Sequence, residues 1–326
     1  MIPVRLLSVG KAVPSRTVSS ESLDASLGRP PGYTFKKSGV RSRFFAAAEE
    51  TQSQLGAAAL HDALRNAALQ PSSIELLIAA CGVPEQALPN TACFISAAAG
   101  LPAGTPAFDV NASCLSFLAA MQVAAGLLAS GAYARIAIVS SDLASRGVDW
   151  DDVEASLIFG DGAAAVILEK GGPEQGIRAA RFESYPAGRQ LCEIRGGGTK
   201  RNPRAGAAPA DYLFRMDGKG VFKMAVQLMP AFLAKLMDAS GVGLDQLDVV
   251  VPHQASALAL LHTAKKIGVP EAKLVRIYET HGNQVAASIP TALYEAVMSG
   301  RAGPGKRVLM IGTAAGLTLG GMIVDL

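Results

Sequence analysis

One cysteine of the 326-residue chain lies where a thiol can act as a nucleophile. Cys114 stands in the run Asp-Val-Asn-Ala-Ser-Cys-Leu-Ser-Phe, between a predicted strand and a predicted helix. The start of a helix carries partial positive charge and free backbone N–H groups, which favour a thiolate and can hold an oxyanion. A free cysteine is also a common small apolar side chain of protein cores, so position alone leaves both interpretations open. The other thiols lack this setting and are predicted to be reduced and structural: Cys81, Cys93 and Cys192.

Two polar residues follow short apolar stretches in the second half of the chain. His253 ends the run Val-Val-Val-Pro-His-Gln, and a polar residue at the carboxyl end of a buried strand is where α/β folds bind ligands. A hydrogen-bonded core histidine is the alternative. Asn283 lies in His-Gly-Asn-Gln-Val, where helix capping or a turn is the structural interpretation and contact with a ligand is the functional one.

The elements that must position these residues occur in a similar order in two halves of the chain. In the first half we predict helices at 53–69 and 114–130, strands at 74–81, 107–110 and 135–140, and a hairpin-type pair at 156–169. In the second half we predict helices at 221–240, 258–267 and 286–299, with strands at 248–251, 274–278, 307–311 and 317–325. Strands that alternate with helices predict β-α-β units and layered sheets.

One spacing supports a true duplication. Cys114 precedes Gly131 by 17 residues in a helix ending Ala-Ser-Gly, and Asn283 precedes Gly300 by 17 residues in a helix ending Met-Ser-Gly. The two residues are therefore predicted at related helix N-termini. We divide the chain into an N-terminal half, 1–172, with the cysteine and a C-terminal half, 173–326, with the histidine and asparagine.

Composition narrows the class of protein. Only 17% of residues are charged, below the typical value of about 25%, and half are apolar. This excludes disorder and predicts a large core, an extensive subunit interface, or both. A net charge of +3 without a basic run argues against a nucleic-acid partner.

Other classes of function find no support in the sequence. The uncharged stretch 110–134 contains several polar residues and glycines, so we predict a buried helix and no membrane span. The N-terminus lacks the pattern of a signal peptide, which leads us to expect a cytoplasmic protein. No Cys/His spacing indicates a metal, and the glycine-containing runs at 159–165 and 311–316 match neither a P-loop nor a dinucleotide fingerprint. We therefore expect no metal and no cofactor.

Cysteine, Pro-His-Gln and His-Gly-Asn, in that order in a duplicated α/β chain, resemble the thiolase superfamily and, more narrowly, the ketoacyl-acyl-carrier-protein synthase III family. Further matching segments span almost the whole chain: Ser38-Gly-Val-Arg, Phe159-Gly-Asp-Gly-Ala, Met216-Asp-Gly-Lys-Gly-Val-Phe-Lys, Val251-Pro-His-Gln-Ala and His281-Gly-Asn-Gln-Val-Ala-Ala-Ser-Ile-Pro. The resemblance implies an α/β fold, the five-layer α-β-α-β-α sandwich of thiolases built from two duplicated halves, and a homodimer.

The resemblance also implies a decarboxylative Claisen condensation. Cys114 would take an acyl group from a thioester such as acyl-CoA, and a malonyl thioester would then lose carbon dioxide and attack the acyl-cysteine. His253 and Asn283 would hydrogen-bond the carbonyl of the malonyl thioester. The backbone N–H groups of Cys114 and Ala315 would form the oxyanion hole for the acyl group.

Substrate-binding residues follow from the same resemblance. Tyr33 matches an aromatic residue that stacks on the adenine of coenzyme A, Lys37 a basic residue near its phosphates, and Ser256 a residue beside the pantetheine arm. Three lysines match basic positions that receive the acidic acyl carrier protein: Lys223, Lys265 and Lys266.

The chain departs from the family pattern at several positions. Val153 and Leu258 align with arginines that contact coenzyme A and carrier protein, and Thr313-Ala-Ala-Gly replaces the usual Phe-Gly-Gly-Gly. These departures predict a divergent member in secondary, polyketide-type metabolism, with weaker decarboxylation or an unusual extender.

Alternatives are an acyltransferase, a non-decarboxylative acyl-CoA condensing enzyme of the same fold, and a non-catalytic scaffold that binds carrier protein. Leu88 stands where the condensing enzymes carry glutamate, acyltransferases tend to carry Asp at the position of Asn283, and the intact Cys114, His253 and Asn283 argue against a scaffold.

Overall fold

The computed structural model describes all residues from Met1 to Leu326. The strands are β1 (Ile2–Pro3), β2 (Arg5–Ala12), β3 (Arg16–Ser19), β4 (Ser42–Phe45), β5 (Leu76–Ala79), β6 (Ala107–Asp109), β7 (Arg135–Asp142), β8 (Gly162–Glu169), β9 (Gly176–Ser184), β10 (Cys192–Glu193), β11 (Arg215–Met216), β12 (Val249–Pro252), β13 (Arg307–Ala314) and β14 (Thr318–Asp325). The helices are α1 (Ser20–Ser26), α2 (Tyr33–Ser38), α3 (Gln52–Asn66), α4 (Thr91–Ala98), α5 (Ser116–Ala129), α6 (Val153–Ser156), α7 (Gly218–Ser240), α8 (Ala257–Lys266), α9 (Tyr278–His281) and α10 (Ser288–Met298).

Two five-stranded sheets repeat one topology. The first has the order β2-β8-β7-β5-β6, with antiparallel pairs at β2/β8 and β8/β7 and parallel pairs at β7/β5 and β5/β6. The second has the order β1-β9-β14-β13-β12, in which β9, β14, β13 and β12 repeat the sequence antiparallel, antiparallel, parallel. The predicted duplication is therefore confirmed in the strand order.

The layers are those of the predicted sandwich. α5 and α10 lie between the sheets, since α5 packs on β7 and β14 and α10 packs on β8 and β12. α3 and α4 cover the outer face of the first sheet, and α7 and α8 cover the outer face of the second. The central core runs through both sheets and the two inner helices. The five-layer α-β-α-β-α architecture is confirmed.

The N-terminal strand crosses between the two halves. Ile2 and Pro3 pair antiparallel with Ile177 and Gly176 at the edge of the second sheet. The first residues thus lie in the sheet of the C-terminal half, although the division at residue 172 assigns them to the N-terminal half. That division itself stays a prediction.

Two predicted strand assignments were wrong. The stretch 156–169 contains no strand pair: Ser156 ends α6, and only Gly162–Glu169 is a strand, β8. The segment before β8 is held by Asp161, whose carboxylate accepts hydrogen bonds from the backbone N–H groups of Ala46 and Ser145. The stretch 274–278 forms no strand, and β2 and β9 were not predicted. There the side chain of Gln254 binds the N–H of Ile277 at 3.0 Å and the carbonyl of Val275 at 3.1 Å, so that these groups are unavailable to a strand.

The apolar stretch 110–134 contains the buried inner helix α5, as predicted. By length and composition α7 alone could cross a membrane, a test that core helices also pass. One side of α7 is buried against β9 and β14, with Phe232 and Leu236 in the outer core.

Candidate active site

Cys114 lies just before α5, and the local chain is tied to hold it there. Ser113 adopts a left-handed conformation with φ of +53°, and the hydroxyl of Ser116 donates to the carbonyl of Cys81 at 3.0 Å. The N–H of Ala112 donates to the same hydroxyl at 2.9 Å. The cysteine is therefore presented by a turn that is anchored to the end of β5.

Two opposing effects act on the Cys114 sulfur. Burial, followed by the charge of Asp142, raises the pKa of the thiol to about 12. Hydrogen bonds from the backbone N–H groups of Ala315 and of Cys114 itself reach the sulfur and act in the other direction. The backbone amides thus favour the thiolate as expected, but desolvation outweighs them and keeps Cys114 protonated at neutral pH.

The Ala315 and Cys114 amides are the pair predicted for the oxyanion hole. Both lower the pKa of the Cys114 thiol, which is the effect expected of two backbone donors that could also act on an acyl group held by that sulfur. Ala315 directly follows β13, and its position depends on the end of that strand. The role as an oxyanion hole stays a prediction, and the geometry is compatible with it.

His253 directly follows β12 and is buried. Its backbone N–H donates to Ile311 at 2.8 Å, and Gly312 leaves room for the side chain, since a Cβ there would lie 2.6 Å from that of His253. Burial lowers the pKa of the ring to about 4, so it is neutral at physiological pH. Nδ1 is enclosed without a hydrogen-bond partner, which leaves Nε2 as the nitrogen that can contact a substrate.

Asn283 precedes α10, and the oxygen of its side-chain amide is already hydrogen-bonded. Oδ1 accepts from the N–H of Val285 at 2.9 Å, so that the NH₂ group is oriented as the free donor. The backbone is held by the first half of the chain, with hydrogen bonds to Ile158 at 2.8 Å and from Gly160 at 3.1 Å. Capping and ligand contact, the two interpretations of this residue, are therefore compatible.

The predicted coenzyme-binding residues lie on adjoining elements. Tyr33 and Lys37 are on α2, with Lys37 Nζ 5.9 Å from the centre of the Tyr33 ring. Ser256 caps α8 by accepting from the N–H of Ala259 at 3.2 Å. The C-terminal end of α2 meets the start of α8, because a Cβ on Gly39 would lie 2.7 Å from that of Ala257.

The three predicted docking lysines differ in their surroundings. Lys223 on α7 and Lys265 on α8 are exposed and make no hydrogen bond or ion pair within the chain. Lys266 instead donates to the carbonyl of Val226 at 2.9 Å. That carbonyl lacks its usual helical donor because Pro230, four residues later, has no N–H. The ammonium of Lys266 is thus engaged in fastening α8 to α7.

Several residues at the site were missed by sequence reasoning. Asp142 ends β7, and the rule that singled out His253 at a strand end would also have found it. Asp24 is buried and accepts from the N–H of Thr34 at 2.8 Å, which fixes the start of α2. Arg29 lies over the Tyr33 ring at 5.6 Å. No local pattern marks Asp24 or Arg29, since both act through contacts between separate elements.

A surface cleft at the chain ends contains none of the predicted site residues. It has a volume of about 810 Å³ and is lined by the chain ends and by charged residues that include Arg178, Arg307 and Asp325. A second cleft of about 460 Å³ between α7 and α8 includes Lys266. The candidate site therefore rests on convergent polar groups rather than on the size of a pocket.

Comparison with known proteins decides the family. The family 3-Oxoacyl-[acyl-carrier-protein (ACP)] synthase III matches residues 108–186, its C-terminal counterpart matches 237–326, and the thiolase N-terminal domain matches 38–140. The beta-ketoacyl-[acyl-carrier-protein] synthase III of Erythrobacter litoralis is 36% identical over 99% of both chains. The chain belongs to the 3-oxoacyl-[acyl-carrier-protein] synthase III family. The resemblance found in the sequence is thereby confirmed.

Other members of the synthase III family and related solved structures agree. The synthase III of Thiobacillus denitrificans is 34% identical over 98% of both chains. The structure of the Aquifex aeolicus synthase III covers 99% of this chain and 100% of its own, with a TM-score of 0.89 and 28% identity. A structure of a Xanthomonas campestris OleA variant, at 21% identity, covers 99% of this chain and 98% of its own with a TM-score of 0.87, and shows the thiolase fold alone.

Proposed function

We propose that this enzyme joins an acyl thioester to a malonyl thioester with loss of carbon dioxide. The observation that carries the proposal is the disposition of hydrogen-bond donors: the backbone amides of Cys114 and Ala315 act on the Cys114 sulfur, and the NH₂ of Asn283 is a free donor because its oxygen is already occupied. The activity printed in the names of its synthase III relatives is compatible with this set.

In the first half-reaction the Cys114 sulfur attacks the thioester carbonyl, and the carbon–sulfur bond to the leaving thiol breaks. The thiol proton of Cys114 balances the proton that the leaving thiolate takes up. The backbone amides of Cys114 and Ala315 stabilise the negative oxygen of the tetrahedral intermediate. This stabilisation compensates in the transition state for a thiol whose resting pKa is high.

In the second half-reaction the carbonyl of the malonyl thioester accepts hydrogen bonds from Asn283 Nδ2 and from the Nε2–H tautomer of His253. Cleavage of the carboxylate releases carbon dioxide and leaves an enolate that these donors stabilise. The enolate carbon attacks the acyl carbonyl, the bond to the Cys114 sulfur breaks, and a 3-oxoacyl thioester leaves. The released Cys114 thiolate takes up a proton from solvent, which restores the thiol. Apart from this proton the step uses only groups of the chain and the two thioesters, so we propose no metal or redox cofactor.

Delivery of the substrates is a separate part of the proposal. Tyr33, Lys37 and Ser256 would contact coenzyme A or phosphopantetheine, since α2 and the start of α8 adjoin each other. The free ammonium groups of Lys223 and Lys265 would attract an acidic acyl carrier protein. We place the enzyme in the cytoplasm, where such thioesters are made.

We also propose a homodimer. β6 has a neighbour only on one side, and Leu88 in the loop after β5 is 83% exposed. An unpaired strand edge and an exposed apolar side chain are suited to a second copy of the chain. Sedimentation at micromolar concentration is expected to give twice the 33.5 kDa chain mass, and a monomer would contradict the proposal.

Intact-protein mass spectrometry tests the chemistry. The protein is mixed with a panel of acyl-CoAs, with and without a malonyl thioester. We expect a mass gain on Cys114 that the malonyl thioester discharges, with release of carbon dioxide and a 3-oxoacyl product. The preferred chain length follows from the same panel.

An acyl-transfer or non-decarboxylative reaction is the second candidate. Thr313-Ala-Ala-Gly at the end of β13 favours it, because the family usually has Phe-Gly-Gly-Gly there. A stable acyl-enzyme that the malonyl thioester cannot discharge would support this candidate and contradict decarboxylative condensation.

A further inference from the structure

Asp142 is a buried carboxylate, 2% exposed, that the proposed mechanism does not use. Its Oδ1 accepts from the N–H groups of Gly82 at 2.8 Å and Val83 at 3.4 Å, in the loop after β5. Its Oδ2 accepts from the N–H of Ala287 at 3.2 Å, in the turn that leads into α10. One carboxylate thus binds backbone from both halves of the molecule.

The turn before α10 depends on this carboxylate. It spans Val285–Ala287 and follows Asn283 almost directly, and neither it nor α10 receives a side-chain hydrogen bond from its own capping residue. Free N–H groups at a helix start require an acceptor. Asp142 supplies that acceptor from the opposite half, and the N–H of Ala286 also faces it.

The loop on the other side of Asp142 leads to Cys114. The carbonyl of Cys81 accepts from Ser116, and the carbonyl of Gly82 accepts from the side chain of Asn111 at 3.4 Å. Both donors flank the nucleophile in the sequence. The hydrogen bonds of the carboxylate therefore link the segment around Cys114 to the turn that follows Asn283.

The charge of Asp142 is expected to hinder the first half-reaction, although its hydrogen bonds support the segment used in the second. It raises the pKa of Cys114, and it also raises the pKa of the Cys81 thiol, to which Asp109 adds. Cys114 and Cys81 are thus the two titratable groups on which the Asp142 charge acts. Burial raises the pKa of Asp142 itself to about 7, against the amide hydrogen bonds that lower it.

We propose that Asp142 is a positioning residue for the condensation step: its carboxylate holds the turn before α10, and with it the Asn283 amide, against the acyl-cysteine. The inference rests on the proposed function. It predicts that removal of the charge weakens condensation and eases thiolate formation at Cys114.

The test is Asp142→Asn, which keeps the size of the side chain and places a donor where two backbone donors converge. At pH 8.5 we expect the rate of malonyl-dependent discharge to fall about a hundredfold, as for a misplaced reacting group. The rate of acylation should be kept or raised, and the midpoint of the pH profile for iodoacetamide alkylation of Cys114 should move to lower pH. Equal losses in both steps, or an unchanged alkylation profile, would overturn the proposal.

Asp161→Asn is the matched control. Asp161 is equally buried and binds backbone N–H groups, but its partners Ala46 and Ser145 both lie in the first half of the chain. We expect the two half-reactions to change together in this variant. If Asp161→Asn also slowed condensation without slowing acylation, any buried carboxylate would give this result, and the proposal for Asp142 would be contradicted.

A measurement on the unaltered enzyme keeps the proposal falsifiable if the variant does not fold. The amide signals of Gly82, Ala286 and Ala287, observed after ¹⁵N-glycine and ¹⁵N-alanine labelling, should titrate with one shared midpoint. Independent midpoints, or no titration, would refute a common carboxylate. If the unaltered enzyme forms no acyl-enzyme, the proposed function fails, while this titration still decides the structural part.

Discussion

At the scale of single residues, the candidate site combines a cysteine thiol of raised pKa with a neutral histidine. Burial that raises the pKa of Cys114 to about 12 also lowers that of His253 to about 4, so neither carries charge at neutral pH. The backbone amides at the sulfur and the free NH₂ of Asn283 can then act on the oxygen atoms that become negative during the reaction.

The assigned roles predict different defects for the two catalytic positions. Cys114→Ala should abolish formation of the acyl-enzyme, because no other thiol has two backbone donors aimed at it. Asn283→Ala should leave acylation in place and slow malonyl-dependent discharge about 10²–10³-fold, the typical cost of one lost donor. Mass spectrometry of each variant follows both steps, and loss of the acyl-enzyme in Asn283→Ala would contradict the assignment.

At the scale of elements, α7 and α8 form one unit on the outer face of the second sheet. Pro230 interrupts the hydrogen bonding inside α7, and Lys266 from α8 satisfies the carbonyl of Val226 that is left over. Lys266, which the family resemblance assigns to carrier-protein docking, therefore also has a structural role. Lys223 and Lys265 keep their ammonium groups free.

This tie predicts a coupling between two positions. Lys266→Ala alone should lower the free energy of unfolding by about 1 kcal/mol, because it removes one partly exposed hydrogen bond. In the background of Pro230→Ala, where the alanine N–H can bind Val226, the same change should cost less. Urea unfolding of the four proteins measures the coupling, and additive effects would count against the tie.

Carrier-protein docking predicts a selective effect of charge reversal. Lys223→Glu with Lys265→Glu should raise the KM for carrier-bound malonate and spare malonyl-CoA, because only the carrier protein presents an extended acidic surface. Steady-state assays measure the KM for carrier-bound malonate and for malonyl-CoA. Lys235→Glu, on the exposed side of α7 near its C-terminus, serves as the control. An equal rise in both KM values would contradict carrier-protein docking at Lys223 and Lys265.

At the scale of the whole molecule, both halves supply residues to the proposed site. They meet along a seam at which the backbone of Asn283 binds that of Ile158 and Gly160. Cys114 is held by the loop after β5, His253 by the end of β12, and Asn283 by backbone bonds to the first half. Neither half alone contains the three residues. The seam also buries polar groups, and these make the stability of the fold depend on pH.

His281 lies at this seam and predicts the direction of that dependence. Its pKa is lowered to about 4, chiefly by burial, whereas the unfolded chain has the ordinary value of 6.5. The unfolded state binds the proton more readily, so the contribution of His281 is complete above pH 6.5 and is lost as the pH falls toward 4. Relative to His281→Gln, the parent should lose about 3 kcal/mol of unfolding free energy between about pH 7 and pH 4.

Denaturant titrations at several pH values measure this difference. Asp142 and Asp161, whose pKa values are raised by burial, act in the opposite direction, but they are common to both proteins and cancel in the comparison. A difference between parent and variant that does not change with pH would contradict a buried neutral His281.

The sequence by itself determined the duplicated α/β order and the family, because helix periodicity, short apolar strands and motif spacing are local properties. The catalytic roles of Cys114, His253 and Asn283 stay predictions. Only the tertiary structure decided that Cys114 rests as a thiol, since desolvation depends on everything packed around the sulfur. The tertiary structure also decided three hydrogen-bonding roles. Gln254 binds the backbone of residues 275–277 in place of a strand partner, Lys266 connects α8 to α7, and Asp142 binds backbone from both halves. These contacts connect residues far apart in the chain, and no local pattern encodes such distances.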